Sequence, residues 1–230
     1  MNTFEETLEK ITKTHKTCLL VIAAAGSGKT TLLTEVLIRK IENNSINLSE
    51  EQVIIFTFTN NAAEELSCRI GKKYHGKQEH FNNLFIGTIH GWSNNFLKEN
   101  TNLSNTKLMN ELERDQFILR TYDFIEIEEN YDGLHKFQKT EKFINDIELF
   151  YNENLDLDDP IIPNKTKKCI SNYLEILKKQ RLLDFGSLIR NAILFFKANK
   201  NYQNKNKRVH LFIDEYYDFF IYFIRNYYFH

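Results

Sequence analysis

A short glycine-rich segment joins an apolar run to an amphipathic stretch near the beginning of the chain. Leu19–Ala23 is continuously apolar, as in a buried parallel strand, and Lys29–Lys40 places its apolar residues at helical spacing. The residues between them include Gly26 and Gly28, and the helix opens with Lys29. Because a strand, a glycine-rich turn and a helix in this order form a cradle for phosphate groups, the segment predicts an α/β nucleotide-binding domain.

Strand and helix patterns continue to alternate after this segment, which favours a parallel sheet covered by helices. Thr3–Thr17 is predicted to form an amphipathic helix ahead of the first strand. The later predicted strands are Val53–Phe58, Leu84–Gly87 and Arg208–Ile213, and the helices between them are Asn60–Ile70 and His90–Lys98.

The middle of the chain has a different character. From 102 to 179 strand signals disappear and helical periodicity takes over. We therefore predict an α/β domain formed by 1–101 and 180–230, interrupted by an inserted all-helical subdomain at 102–179. Asp184 is expected to cap a returning helix that ends near Phe196.

Each residue of the glycine-rich segment has a predicted role at a phosphate. Gly26 and Gly28 lack a Cβ atom, so backbone N–H groups can close around phosphate oxygens, and the following helix directs its positive end towards them. Lys29 is expected to hold the terminal phosphates and the Thr30 hydroxyl to bind Mg²⁺. The alternative, an ordinary turn of small residues, leaves the Lys-Thr pair unexplained. The complete predicted ATP-binding set is Ala23, Ala24, Ala25, Gly26, Ser27, Gly28, Lys29, Thr30 and Thr31.

A phosphate loop needs a carboxylate partner at the end of a neighbouring strand. Asp214 and Glu215 follow the last predicted strand. Asp214 is expected to hold Mg²⁺, and Glu215, the predicted catalytic partner of Lys29, to polarise the attacking water. Strands that simply end in acidic residues are common, so this prediction depends on the phosphate loop.

Composition limits where a nucleic acid could bind. With 30 basic and 31 acidic residues the net charge is −1, so any such contact must be local. The odd number of cysteines, 3, in no paired motif argues against a disulfide framework or zinc site. The N-terminus is polar and no apolar run approaches the roughly 20 residues of a membrane span, which favours a cytoplasmic protein.

Four blocks of sequence, in the same order, resemble those of the UvrD/Rep group of superfamily-1 helicases. The phosphate loop resembles A-x-A-G-S-G-K-T, and Thr57–Leu66 resembles T-F-T-N-x-A-A-x-E-[LM]. Gly87–Gly91 resembles G-T-x-H-[GS], and Ile213–Asp218 resembles [VI]-D-E-[YF]-Q-D. The helical stretch lies where this group inserts an accessory subdomain. The resemblance implies a RecA-like fold and a DNA helicase or translocase of 3′-to-5′ polarity that uses ATP and Mg²⁺.

The resemblance also implies a set of single-stranded DNA contacts at two strand ends: Thr57, Phe58, Thr59, Asn60, Thr88 and His90. Threonine hydroxyls and a helix N-terminus can meet phosphates, and an exposed Phe58 can stack on a base. The alternatives are a core aromatic for Phe58, helix capping for Thr59 and Asn60, and a structural role for His90.

The sequence also departs from the family pattern. No Gln precedes Gln52, so the glutamine that reads adenine in this family is absent, and Thr31 and Tyr217 stand where the family has Arg and Gln. The chain ends soon after Asp218, where a second motor domain would be expected. The sequence therefore predicts the first half of a helicase that works with a second motor domain or a partner in trans. A non-motor ATP-binding module and an inactive gene remnant are the alternatives.

Overall fold

The computed structural model describes residues 4–14, 18–22, 24, 26–74, 82–132, 135–200, 202 and 208–215. Two compact units divide these residues. The first comprises the described residues of 1–92 and 201–219, and the second those of 93–200. The domain boundaries inferred from sequence, with the insertion at 102–179, differ from this division and remain a prediction.

The secondary structure alternates first and then becomes mainly helical. In chain order the elements are α1 (Phe4–Lys13), α2 (Lys29–Glu42), β1 (Gln52–Phe56), α3 (Asn60–Lys73), β2 (Leu84–Gly87), α4 (Ile89–Asn100), a 3-10 turn (Asn102–Asn105), β3 (Lys107–Met109), α5 (Glu111–Arg120), α6 (Tyr122–Ile125), α7 (Ile127–Asn130), α8 (Lys136–Asn152), α9 (Asn164–Gln180), β4 (Leu182–Asp184), α10 (Phe185–Ala198) and β5 (Val209–Ile213). None of the helices formed by the described residues combines the length and apolarity that crossing a bilayer requires.

The sheet of the first unit is parallel, as predicted. β1 lies between β2 and β5 and pairs with both. Phe56, the last residue of β1, is in register with Gly87 of β2 and Ile213 of β5. The three carboxyl ends therefore meet at one edge of the sheet, the usual position of ligand sites in α/β folds.

Helices α2 and α3 pack against this sheet and form its core. Leu37 from α2 and Leu66 and Ile70 from α3 are buried together with Val53 and Ile55 of β1. Both faces of β1 are covered, since its residues from Val53 to Phe56 are all buried. The predicted α/β architecture, a parallel sheet flanked by helices, is confirmed.

The predicted first strand is not formed. Leu19, Leu20, Val21 and Ile22 have no strand conformation and all four side chains are exposed, while Ala23 lies outside the described residues. A continuous apolar run predicts burial only where neighbouring elements cover it on both faces. Among the described residues, the ladders of the first unit join β1, β2 and β5 and provide no partner for this run.

The second unit is not all-helical, because it contains a small parallel ladder. β3 and β4 pair through Lys107–Leu182, Leu108–Leu183 and Met109–Asp184. Each strand has only 3 residues, too few to show a period-two pattern, which explains why sequence periodicity missed β3. The helices of this unit pack around Phe143, Ile147 and Tyr173.

Asp184 is the N-cap of α10, as the sequence predicts, and its carboxylate also accepts hydrogen bonds from α8 and α9. Its Oδ1 accepts a hydrogen bond from the backbone N–H of Ser187 at 2.9 Å. Its Oδ2 accepts from the hydroxyls of Tyr151 at 3.0 Å and Tyr173 at 2.7 Å. The next residue but one is Gly186, where a Cβ atom would lie 2.6 Å from the Tyr151 ring.

Candidate nucleotide and nucleic-acid sites

The predicted site residues of the first unit lie at the carboxyl edge of its sheet. The register of the three strands brings Thr57, Thr88 and Asp214, which follow β1, β2 and β5, to the same edge. The peptide group between Phe56 and Thr57 connects them. Its carbonyl oxygen accepts from the Asp214 N–H at 2.9 Å, and its N–H donates to the Gly87 carbonyl at 3.0 Å.

The glycine-rich loop has the backbone conformation that a phosphate cradle requires. Gly26 has φ 73° and Gly28 has φ 86°, both in the left-handed region that residues with a Cβ rarely adopt. Gly28 is also the N-cap of α2, so the helix begins at Lys29 with its N–H groups towards the loop. Ala23 and Ala25 lie outside the described residues, and Thr31 is exposed on the first turn of α2.

The two predicted Mg²⁺ ligands lie next to each other. The Thr30 hydroxyl donates a hydrogen bond of 3.0 Å to Oδ2 of Asp214, across 184 positions of sequence. Asp214 is 8% exposed, and Thr30 is half-buried. The fold therefore places a hydroxyl and a carboxylate together at the start of α2, and both groups are of the kind that binds Mg²⁺.

The carbonyl oxygen of Ala24 accepts hydrogen bonds from two side chains of the loop and of the start of α2. It accepts hydrogen bonds from the Lys29 ammonium at 2.9 Å and from the Ser27 hydroxyl at 2.7 Å. The role of the Ala24 carbonyl cannot be recognised from the sequence, because a backbone acceptor leaves no mark in the residue type. A phosphate that engages Lys29 must compete with this carbonyl.

Glu215 directly follows Asp214 in the sequence. Its side chain is exposed and its φ is 56°, in the left-handed region. A non-glycine residue held in this conformation is strained by about 1–3 kcal/mol, and such residues cluster at functional sites. Tyr216, Tyr217 and Asp218, which complete the sequence block, lie outside the described residues.

The side chain of Thr57 does not point towards solvent, contrary to expectation. It is 1% exposed, and its hydroxyl donates to the Thr59 carbonyl oxygen at 3.0 Å. β1 is buried from Val53 to its end at Phe56, and the burial continues through Thr57, so Phe58 is the first exposed residue after the strand. Phe58 is 58% exposed, which excludes the core-aromatic alternative and leaves its ring accessible for stacking.

The other predicted DNA contacts begin helices. Thr59 is the N-cap of α3, and its hydroxyl accepts from the Ala62 N–H at 3.2 Å, while Asn60 is exposed in the first turn. Thr88 precedes α4, and its hydroxyl accepts from the Gly91 N–H at 3.1 Å. Both threonines therefore cap helices whose N-termini lie at the same edge of the sheet, where backbone N–H groups favour anions.

His90 lies in the first turn of α4 and is half-buried. Burial lowers the pKa of its imidazole to about 4. The ring is therefore neutral near pH 7, so any contact it makes with a phosphate is a hydrogen bond rather than an ion pair.

Aromatic rings pack against one another at the ends of β1 and β2. Phe56 contacts Phe85 and Trp92 edge-on, with ring centroids 6.4 Å and 6.0 Å apart. The Phe85 ring lies so close to Gly87 that a Cβ there would be 2.7 Å from its Cζ. Trp92 therefore has a packing role. Gly87 leaves room for the Phe85 ring, and the presence of a glycine directly before Thr88 could have indicated such a close contact.

The comparison with known families agrees with this geometry. The sequence model of the UvrD/REP helicase N-terminal domain matches residues 4–219, nearly the whole chain. The chain belongs to the UvrD/REP helicase family. The matched range includes the glycine-rich loop and the three strand ends described above.

Among the relatives are two that match most of the chain. A probable DNA helicase II homolog of Mycoplasma capricolum is 29% identical over 213 residues, which are 86% of this chain and 28% of that protein. The ATP-dependent DNA helicase Rep of Buchnera aphidicola is 30% identical over 214 residues, 86% of this chain and 30% of that protein.

A shorter match is more similar. One component of an ATP-dependent helicase/nuclease of Listeria monocytogenes, named as a subunit of that enzyme, is 52% identical over 54 residues, 24% of this chain and 4% of that protein. The chain therefore spans less than a third of the length of each of these three relatives.

Proposed function

We propose that this chain is the ATP-binding motor domain of a DNA helicase or translocase, and that it binds Mg-ATP and single-stranded DNA at the carboxyl edge of its sheet. The hydrogen bond between Thr30 and Asp214 is the observation that supports this most directly. It joins the start of α2 to the end of β5 at the edge where Phe58 is exposed. Family membership and the names of the relatives support the same proposal.

The nucleotide site is assigned to the loop and the start of α2. Gly26 and Gly28 leave room for phosphate oxygens next to the loop backbone, and Lys29 exchanges the Ala24 carbonyl for the terminal phosphates. Thr30 and Asp214 hold Mg²⁺, whose preferred ligands are oxygens such as theirs. The remaining loop residues, including Ala23, Ala25 and Thr31, are assigned to the same site from the sequence block.

Hydrolysis requires a base close to the attacking water. We assign this role to Glu215, whose exposed carboxylate directly follows the proposed metal ligand Asp214. Mg²⁺, when bound, neutralises charge on the phosphates, and Lys29 adds a second positive charge. The chain's own contribution is thus to orient phosphates, to hold a water and to accept its proton.

Single-stranded DNA is assigned to the strand ends beside this site. Phe58 stacks on a base, and the N-termini of α3 and α4 face the phosphates through Thr59, Asn60, Thr88 and His90. Stacking on an aromatic ring is tolerant of sequence, and phosphate contacts are sensitive to salt. We therefore expect weak sequence preference and an affinity that falls as salt rises.

Movement along DNA extends this proposal. The 3′-to-5′ direction follows from the family resemblance, as does a second motor domain, or a partner protein in trans, that closes on the same nucleotide. The relative that is named as one component of a helicase/nuclease is consistent with a partner. A cytoplasmic location, where ATP and DNA are both available, is part of the same proposal.

Nucleotide binding is tested by calorimetry with a slowly hydrolysed ATP analogue and Mg²⁺. Lys29→Ala should abolish or severely reduce binding, because the phosphates lose the cationic side chain of the loop. The matched control is Lys72→Ala, an exposed lysine at the end of α3, which should bind like the wild type. Equal affinity of wild type and Lys29→Ala would refute the nucleotide site.

Hydrolysis is tested with and without an oligodeoxythymidylate. Glu215→Gln should bind the analogue but lose hydrolysis, whereas Glu50→Gln, an exposed residue ahead of β1, should hydrolyse normally. Hydrolysis that rises with DNA supports a motor. Hydrolysis indifferent to DNA would instead support an ATP-binding module that acts through a partner.

A further inference from the structure

The turn after β1 holds an exposed aromatic between two threonines with different environments. Thr57 is 1% exposed and Phe58 is 58% exposed. Thr59 is exposed and caps α3. The buried residue cannot present its hydroxyl to a ligand, although it belongs to the block that implies DNA binding.

The hydroxyl of Thr57 closes the turn around Phe58. It donates to the carbonyl oxygen of Thr59 at 3.0 Å, so the hydrogen bond spans the residue between them. The Thr57 N–H is bonded to Gly87 at 3.0 Å on one side of the turn. On the other side, the Thr59 hydroxyl accepts from the Ala62 N–H. The backbone of Phe58 is therefore fixed at both ends.

We propose that Thr57 is a positioning residue for DNA binding, whose buried hydroxyl holds Phe58 in the outward conformation that stacks on a base. This inference rests on the proposed function. An aromatic that is already ordered loses less conformational entropy on stacking, so a fixed turn increases affinity without touching the ligand. Thr57 then acts through Phe58, and not through a phosphate.

Valine in place of Thr57 removes the hydroxyl and keeps the shape of the side chain. The Thr59 carbonyl would remain satisfied, because it also accepts from the Ala63 N–H at 3.1 Å. Loss of the Thr57 hydroxyl is therefore expected to cost little folding free energy. Thr57→Ala is a second variant without the hydroxyl, for use if the valine does not fit, and Thr57→Ser restores the donor.

The test measures binding of the full chain to a fluorescent oligodeoxythymidylate by anisotropy. Phe58→Ala should weaken binding by roughly fivefold to 150-fold, the worth of one stacked base. Thr57→Val should weaken it by about threefold to tenfold, a part of that effect, and Thr57→Ser should bind like the wild type. In the Phe58→Ala background, Thr57→Val should have no further effect, since residues that act through each other are not additive.

The outcomes separate this inference from the function on which it rests. If wild type binds and Phe58→Ala does not, but neither Thr57→Val nor Thr57→Ala has an effect, the positioning role is wrong and the DNA site stands. An equal loss from Thr57→Val in the Phe58→Ala background would also overturn it, because Thr57 would then contact DNA itself. A serine variant as weak as valine would overturn it too. No binding by the wild type would refute the proposed DNA site together with this inference.

Discussion

Replacing Asp184 by alanine is expected to destabilise the second unit severely. The carboxylate is 0% exposed and accepts hydrogen bonds from the Ser187 N–H, the Tyr151 hydroxyl and the Tyr173 hydroxyl. Burial and the nearby Asp184 raise the pKa of both tyrosines well above the ordinary value, so both keep their protons and donate. The substitution leaves all three donors without this acceptor.

The size of the loss follows from these contacts. Removing an N-cap side chain costs about 1 kcal/mol. Each buried tyrosine hydroxyl left without an acceptor costs about 1–3 kcal/mol, so the whole effect is about 3–7 kcal/mol. Because a domain is stable by roughly 5–15 kcal/mol, much of the stability of this unit depends on one side chain. Tyr173→Phe removes a single bond to a charged group and should cost about 1.5–3 kcal/mol.

Denaturant unfolding followed by circular dichroism measures both losses. The matched control is Asp158→Ala, an exposed aspartate of the same unit, which should stay within about 0.5 kcal/mol of the wild type. An Asp184→Ala variant within about 1 kcal/mol of the wild type would show that the hydrogen bonds of this carboxylate contribute little. A Tyr173→Phe loss as large as that of Asp184→Ala would contradict the proposed division among the three donors.

Three further predictions concern the first unit and the activity of the chain. The pKa of His90, lowered to about 4, should make stability fall as pH drops from about 6.5 towards 4, since the unfolded state binds the proton first; unfolding at pH 7 and pH 5 should show this loss in the wild type and not in His90→Gln. Gly87→Ala, whose Cβ would meet the Phe85 ring, should cost about 1–3 kcal/mol in thermal unfolding, whereas Gly71→Ala, with open space inside α3, should be neutral or stabilising by about 0.5–1 kcal/mol. The 230 residues, expressed by themselves, are expected not to displace a strand from a 3′-tailed duplex, because the proposed mechanism of movement uses a second motor domain or a partner in trans; ATP-dependent displacement that Lys29→Ala abolishes would contradict this.

Sequence patterns predicted elements well where local and tertiary demands agree. α2 was predicted as Lys29–Lys40 and extends to Glu42, and the predicted cap of α10 at Asp184 is present. Both elements carry an amphipathic stripe that packs locally and a start signal in the sequence. Leu19–Ile22 shows the opposite case, because an apolar run indicates only that a strand could be buried. Whether it pairs depends on neighbours far away in sequence, which no local pattern contains.

The second unit shows a related limit. The ladder of β3 and β4 joins residues about 75 positions apart, from Lys107 to Leu182, through strands of three residues. The Asp184 cap was visible in sequence because a capping residue acts on its own helix. The two tyrosines that share its carboxylate come from α8 and α9, and only the packing of these helices brings them to it. The helix cap could therefore be predicted from the local sequence, whereas the hydrogen bonds that Asp184 accepts from the two tyrosines could not.

The turn after β1 combines both kinds of information. The residue types indicated a threonine–aromatic–threonine segment near a strand end, but the predicted strand runs to Phe58 whereas β1 ends at Phe56, and only the structure shows that Thr57 is buried and Phe58 exposed. The observed end of β1 at Phe56 is fixed by hydrogen bonds of its last peptide group to Asp214 and Gly87. The residue proposed to stack on DNA is thus oriented by the same peptide group that bonds to the proposed metal ligand, so a change at either strand end is expected to be felt at Phe58.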